Sequence, residues 1–152
     1  MIYNKETERQ LVGSFGEQRV TRDCSCPHCK RRRTLVRLPR NFKCADVICD
    51  FCGYLAQVKT KKVREIDVVP KSVLGAAWRP WKERMDSGIY FPLFLVLVSP
   101  RNKYSIFYLP TDLQKPDMFR PTKPLSATAK MAGWQGFEWK LESVRGSLVR
   151  IR

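Results

Sequence analysis

No apolar run in this sequence approaches the ~20 residues needed to cross a bilayer. The longest, Phe91 to Val98, is interrupted by Pro92 and reads as a core strand. The segment Met1 to Gln10 lacks the apolar stretch of a secretory signal, so no export is implied and a cytoplasmic location is expected. A basic amphipathic helix is also missing, which removes the membrane surface as a partner. Neither an internal repeat nor a low-complexity tract is visible. Negative charge is scarce: 14 Asp+Glu stand against 29 Lys+Arg, a net charge of +15 spread from Arg9 to Arg152. Such a field favours a polyanion, and with the membrane set aside that means nucleic acid. What remains is ample for one core. Hydrophobic residues make up 43%, with eight Phe, five Tyr and four Trp, which excludes a disordered chain, and 152 residues fit a single domain over 1–152.

Periodicity predicts a helix from about Lys5 to Arg19, with Leu11, Val12 and Phe15 at helical spacing. A cysteine-rich segment, Cys24 to Cys52, follows. From Asn41 the pattern turns to strand, placing Phe42, Cys44, Asp46 and Ile48 on one face, and a second strand is expected over Tyr54 to Thr60. The two read as a hairpin whose tip is Cys49-Asp50-Phe51-Cys52-Gly53. Lys71 to Met85 reads as an amphipathic helix with Pro80 as a kink or stop, and Trp78, Trp81 and Trp139 read as core. Phe91–Ser99 and Tyr104–Leu109 are expected to pair as strands across Pro100-Arg101-Asn102. Four prolines make Pro110 to Pro124 a surface loop, and Gly133 to Trp139 begins a last short strand.

Cys26-Pro27-His28-Cys29 and Cys49-Asp50-Phe51-Cys52 are two C-x2-C knuckles within the segment 24–53. Each folds back tightly enough to aim two thiolates at one point, and two together make the tetrahedral sulfur cage of a closed structural zinc site. Zn²⁺ bound by Cys26, Cys29, Cys49 and Cys52 is therefore expected; the competing reading is a set of buried or redox-active thiols. Cys24 and Cys44 stay outside the cage, and His28 reads as an exposed loop residue. Such a zinc leaves no open position for water or substrate, so its work is to brace the hairpin.

Gln57-Val58-Lys59 puts an amide and an amine on one strand face, with Asp46 on the neighbouring strand. An acid, an oxygen ligand and a lysine could converge there to hold a hard cation and orient water for phosphodiester cleavage. A surface ion pair is the plainer alternative. The stretch Ala45-Asp46-Val47-Ile48-Cys49-Asp50-Phe51-Cys52-Gly53-Tyr54-Leu55-Ala56-Gln57-Val58-Lys59-Thr60-Lys61-Lys62 resembles the catalytic and zinc-binding stretch of DpnI-type restriction endonucleases, of the PD-(D/E)xK nuclease superfamily. A second block, Pro124 to Gly136 with Ala132-Gly133-Trp134-Gln135-Gly136 at its end, is similar to a further stretch of the same catalytic domain. The resemblance runs from about Glu17 to Val144. It implies an acidic metal ligand at Asp46, a second ligand at Gln57, a catalytic lysine at Lys59, a backbone ligand at Val58 and a further acid at Glu17. The ion so implied is Mg²⁺. Ala45 stands where the motif has proline, which supplies no ligand atom. Gln57 stands where it has an acid, leaving the site one negative charge short. The winged-helix domain that helps DpnI read adenine-methylated GATC is not expected in these residues.

The expected fold is accordingly α/β, a PD-(D/E)xK restriction-endonuclease-like mixed sheet flanked by helices with an inserted four-cysteine zinc knuckle. The expected function is metal-dependent endonuclease action on double-stranded DNA, with adenine-methylated DNA among the candidate substrates. Arg31, Arg32 and Arg33 between the knuckles, Lys61 and Lys62 after the hairpin, and Trp134 in the second block are the expected DNA contacts. One active site cuts one strand, so a double-strand break calls for a homodimer or two successive events. The alternative is a non-catalytic zinc-containing DNA-binding module in which Gln57 marks a decayed site.

Overall fold

The computed structural model describes residues 7–152. The expected helix start at Lys5 lies outside them. Helix α1 spans Glu8–Asp23 and opens with a capping box: Thr7 Oγ1 accepts from the Gln10 N–H at 3.3 Å while Gln10 Oε1 accepts from the Thr7 N–H at 2.7 Å. Strands β1 (Leu35–Arg37), β2 (Val47–Cys49) and β3 (Leu55–Lys62) form an antiparallel run, with Leu35 opposite Cys49 and Val47 opposite Ala56. The expected hairpin is thus present, but its first strand is shorter than expected. Cys44 adopts φ 67°, a left-handed conformation that ends any extended strand there, so 41–46 are turn and bend.

The largest departure concerns Lys71 to Met85. Ser72–Ala77 is strand β4, and only Trp78–Asp86 is helix α2. Val73, Leu74 and Ala77 fit helical spacing, but Ser72, Val73 and Leu74 pair with Lys140, Trp139 and Glu138 of β8 (Gly136–Lys140), and that tertiary pairing decides the conformation. Pro80 falls in the first turn of α2, where its missing N–H has no intrahelical partner to lose. It starts the helix instead of stopping it.

Strands β5 (Leu93–Val98) and β6 (Tyr104–Leu109) pair antiparallel as expected, β7 (Phe119–Pro121) lies inside the proline-rich stretch, and β9 is Val149–Arg150. The main sheet runs β1-β2-β3-β5-β6-β9 and is mixed, because β3 pairs parallel to β5; a smaller antiparallel sheet runs β4-β8-β7. Every residue of β5 is buried, as the unbroken apolar run requires. Phe94 and Val96 pack with Val20, Val47 and Val58 on the α1 side, while Leu93, Leu95 and Leu97 face a second core holding Trp81, Phe137 and Trp139. Trp81 and Trp139 are buried, and Trp78 is half-buried against Phe137. Among the described residues no helix is long and apolar enough to cross a membrane.

Gly16 sets how closely α1 approaches β3. A Cβ there would lie 1.7 Å from Thr60 Oγ1, a contact that only glycine avoids. Gly16→Ala is expected to lower the stability in urea by about 1–3 kcal/mol, the usual penalty of overpacking. An unchanged midpoint would show that the helix stands further off the strand.

Candidate active site and metal centre

The thiols of Cys26, Cys29, Cys49 and Cys52 all lie within 4.8 Å of one another. Cys26 and Cys52 are 3.6 Å apart, and Cys29 and Cys49 are 3.7 Å apart. Four sulfurs placed 2.3 Å from a tetrahedral centre would be separated by roughly 3.8 Å. The cluster therefore fits a metal ion. Its thiols differ sharply without one: burial pushes Cys26 up to about 12. Burial also opposes the Cys49 thiolate, yet its hydrogen bonds with Thr34 and with the backbone of Cys52 and Phe51 outweigh it and bring Cys49 down to about 6. Cys24 is buried and Cys44 half-buried, and neither belongs to the cluster. His28 is exposed and stacks on Tyr54 with ring centroids 6.3 Å apart.

From this hairpin the chain delivers Asp46 to the flank of β3. The Asp46 N–H donates to Ala56 O at 2.9 Å, its carbonyl accepts from Leu38 N–H at 2.8 Å, and its Oδ2 accepts from the Val58 N–H at 2.7 Å. Asp46, Glu17, Val58 and Lys59 line one cleft of about 610 Å³, between α1 and β3 on one side and the smaller sheet on the other. Lys62, Thr122, Trp134 and Phe137 line it too. Glu17 is thus brought beside Asp46 and Lys59. Gln57 is not: it is 2% exposed and absent from the cleft wall, and its Oε1 is buried with no hydrogen-bond partner among the described residues. An amide oxygen stranded in this way is a donor atom without a proton or an ion, which suits a hard cation.

The electrostatics show three ionisable groups held away from their ordinary states. Burial raises the Asp46 carboxyl, against the Val58 N–H, Lys59 and Arg37, which favour its charge. Burial and then the Asp46 charge raise Glu17, against Arg37. Burial lowers Lys59, against Asp46 and Glu17. Arg37 is the residue that sequence reasoning missed here. It holds Glu17 Oε2 through Nε at 2.9 Å and a terminal nitrogen at 2.7 Å, and it donates to Ser14 Oγ at 3.1 Å. Only folding reveals this, since Arg37 and Glu17 share no motif.

The expected DNA contacts separate in space. Lys62 and Trp134 line the cleft, with Lys62 paired to Glu8 and Trp134 40% exposed. The Lys61 ammonium donates to Ser72 O at 3.0 Å. Arg31 lies over the Phe51 ring, 3.7 Å from its centroid, and Arg32 and Arg33 line a different cavity altogether.

A four-cysteine cluster on a mixed α/β sheet, beside a cleft that gathers two carboxylates and a lysine, defines the class of protein. The chain belongs to the family described as DpnI: Dam-replacing family, whose model matches residues 1–149. That membership supports a nuclease that acts on DNA. No curated protein matches the chain. Among solved structures it is similar to Hjc, a Holliday junction resolvase from the archaeal hyperthermophile Archaeoglobus fulgidus, at 16% identity and a TM-score of 0.34, over 77% of this chain and 83% of that one. A likeness so slight carries no functional weight.

Because the fold raises the Asp46 pKa, the native state binds that proton more tightly than the unfolded chain does. Its contribution to stability therefore falls as pH rises from the ordinary value of 3.8 through the raised one. With no Mg²⁺ or Mn²⁺ added, Asp46→Asn is expected to raise the melting temperature at pH 7, since the amide oxygen can still accept from Val58. The gain should vanish below that window, where Asp46 is itself neutral. A variant less stable at pH 7 would show that the Lys59 charge outweighs burial.

Proposed function

We propose that the chain is a metal-dependent endonuclease that hydrolyses phosphodiester bonds of duplex DNA. The observation that carries this reading is the convergence of Asp46, Glu17 and Lys59 on one cleft, with an unpartnered buried oxygen on Gln57, in a chain of the DpnI family. Asp46 and the Val58 carbonyl are the groups at the cleft wall that would hold Mg²⁺, Gln57 Oε1 would join them on turning out from behind that wall, and Glu17 would complete the acidic side of the site. Bound there, the ion would polarise the scissile phosphate and offset its developing charge. Asp46 is fixed for this by the Val58 N–H, and Glu17 by Arg37. Lys59 orients the attacking water. Its lowered pKa lets the Nζ exchange a proton with that water more readily than a surface lysine would.

The four thiols would hold Zn²⁺, closed to substrate, as a brace for β1 to β3. Elemental analysis of purified protein is expected to find one zinc per chain, and stripping it should melt the hairpin and release α1. Retention of the full circular-dichroism signal after stripping would remove the bracing role. One cleft serves one strand, so double-strand cleavage would use two chains or two events.

The rival reading, a DNA-binding module with a silent nuclease site, draws on Gln57, which contributes no charge and stays off the cleft wall. A cleavage assay with Mg²⁺ or Mn²⁺ on matched plasmids, with and without adenine methylation, separates the two. The wild type is expected to cut, and Lys59→Ala to lose about 10²–10⁴-fold in rate while keeping its DNA affinity. A difference between the plasmids would establish methylation dependence. DNA bound but uncut in either metal would favour the silent module.

A further inference from the structure

On the flank of α1 away from Glu17 lies a second cavity, of about 480 Å³, that no part of the cleavage reading uses. Arg22, Arg32, Arg33 and Arg152 line it, with Asp23 as the acidic group and Ser25 as a hydroxyl. Four guanidiniums thus stand with one side-chain carboxylate. That carboxylate is already engaged: Asp23 Oδ1 accepts from Arg22 Nε at 3.0 Å, while its Oδ2 accepts from the Tyr104 hydroxyl and lies 3.6 Å from Arg152. Arg22 also donates to the Tyr104 oxygen at 2.7 Å, and Arg152 lies 4.4 Å over the Tyr104 ring. Two of the four guanidiniums are therefore held in place before any ligand arrives. The other two, Arg32 and Arg33, have no hydrogen-bond or ion-pair partner among the described residues.

The plainer account is that these arginines answer the negative end of the α1 dipole. It covers Arg22, which belongs to the last turn. It leaves Arg32 and Arg33 unexplained, because they arrive from the loop between the knuckles and α1 has ended at Asp23. Fixed guanidiniums beside unpaired ones make a polyvalent donor set, whose planar forks match the oxygens of a phosphate.

We propose that this arginine cavity binds a backbone phosphate of the duplex, outside the cleavage cleft, and so fixes the DNA across α1. The inference rests on the reading of the chain as a protein that acts on DNA. Asp23 lies roughly 9 Å beyond Glu17 along the helix axis, on another flank. A duplex held at both places is therefore held in orientation as well as in affinity.

The test compares Arg32→Gln/Arg33→Gln with a charge-matched control, Arg101→Gln/Lys103→Gln, on the β5–β6 turn. Duplex affinity is measured across a salt series. Loss of one phosphate contact should reduce the log–log salt slope by about 0.9 and weaken binding about tenfold near 0.1 M salt, with the control close to wild type. Zinc content and the melting curve confirm that the variant is folded, and Arg152→Gln alone supplies a second route to the same result. Equal losses in variant and control would reduce the cavity to diffuse attraction and overturn the proposal. An unchanged slope together with loss of calorimetric binding of inorganic phosphate would reassign it to free phosphate, which also overturns it. Cleavage by the wild type is followed on the same DNA: binding without cutting would sink the nuclease reading while the slopes still judge the cavity, and no binding at all would sink both.

Discussion

The four-thiol cluster is the constraint on which the other features hang. Cys26 and Cys29 follow directly after α1, whereas Cys49 and Cys52 close the tip of the β2–β3 hairpin, so the cage joins two segments that are distant in sequence. Leu35 pairs with Cys49 and Arg37 with Val47, which carries the same anchoring into β1. Two groups of the cleft and the arginine that holds one of them depend on it. Glu17 rides on the helix that the cage pins, Arg37 on the strand next to the cage, and Asp46 on the residue immediately before β2. Gly16 completes the arrangement by letting α1 close upon Thr60.

The cleft is electrostatically uncomfortable. Two carboxyls raised by burial and a lysine lowered by it sit together, with Arg37 as the main relief for Glu17 and the Val58 N–H for Asp46. Each group would be more stable in water, and the fold retains them against that preference. Strain of this kind is expected where charge must be ready before substrate arrives. A hard cation would reverse the balance by favouring the ionised carboxylates, and the unpartnered Gln57 oxygen would then gain a partner too. The two carboxyls whose charge burial penalises are the ones whose charge a cation would favour.

How much of this could be read in advance depended on how local each feature is. The cysteine cage was legible because a C-x2-C knuckle is a turn with its own geometry, and two of them leave few alternatives. Trp81 and Trp139 were legible as core, β5 from its apolar run, and its pairing with β6 from the turn at Pro100-Arg101-Asn102. By contrast β4 was misread, since Val73, Leu74 and Ala77 satisfy helical spacing and nothing near them announces the pairing with β8. The approach of Asp46 to β3 followed from the hairpin, but assigning chemistry to it needed a family resemblance. Arg37 was out of reach: its partner is twenty residues away on another element. The seclusion of Gln57 from the cleft wall was equally invisible, because strand alternation fixes the face of a side chain and not the depth at which it stops.

The excess of positive charge acquires meaning only after the fold has distributed it. Several basic residues are committed internally: Arg37 to Glu17, Lys62 to Glu8, Arg150 to Asp67, Lys82 to Asp86. These pairs are mostly exposed and add little stability individually, but each cancels one charge of either sign and leaves the positive excess as it was. A partner therefore meets the remainder, and the remainder is uneven. Arg31 is spent on Phe51, whereas its neighbours Arg32 and Arg33 open onto the cavity beside Arg22 and Arg152. Three consecutive arginines that look equivalent in the sequence are thus divided between packing and an open donor set.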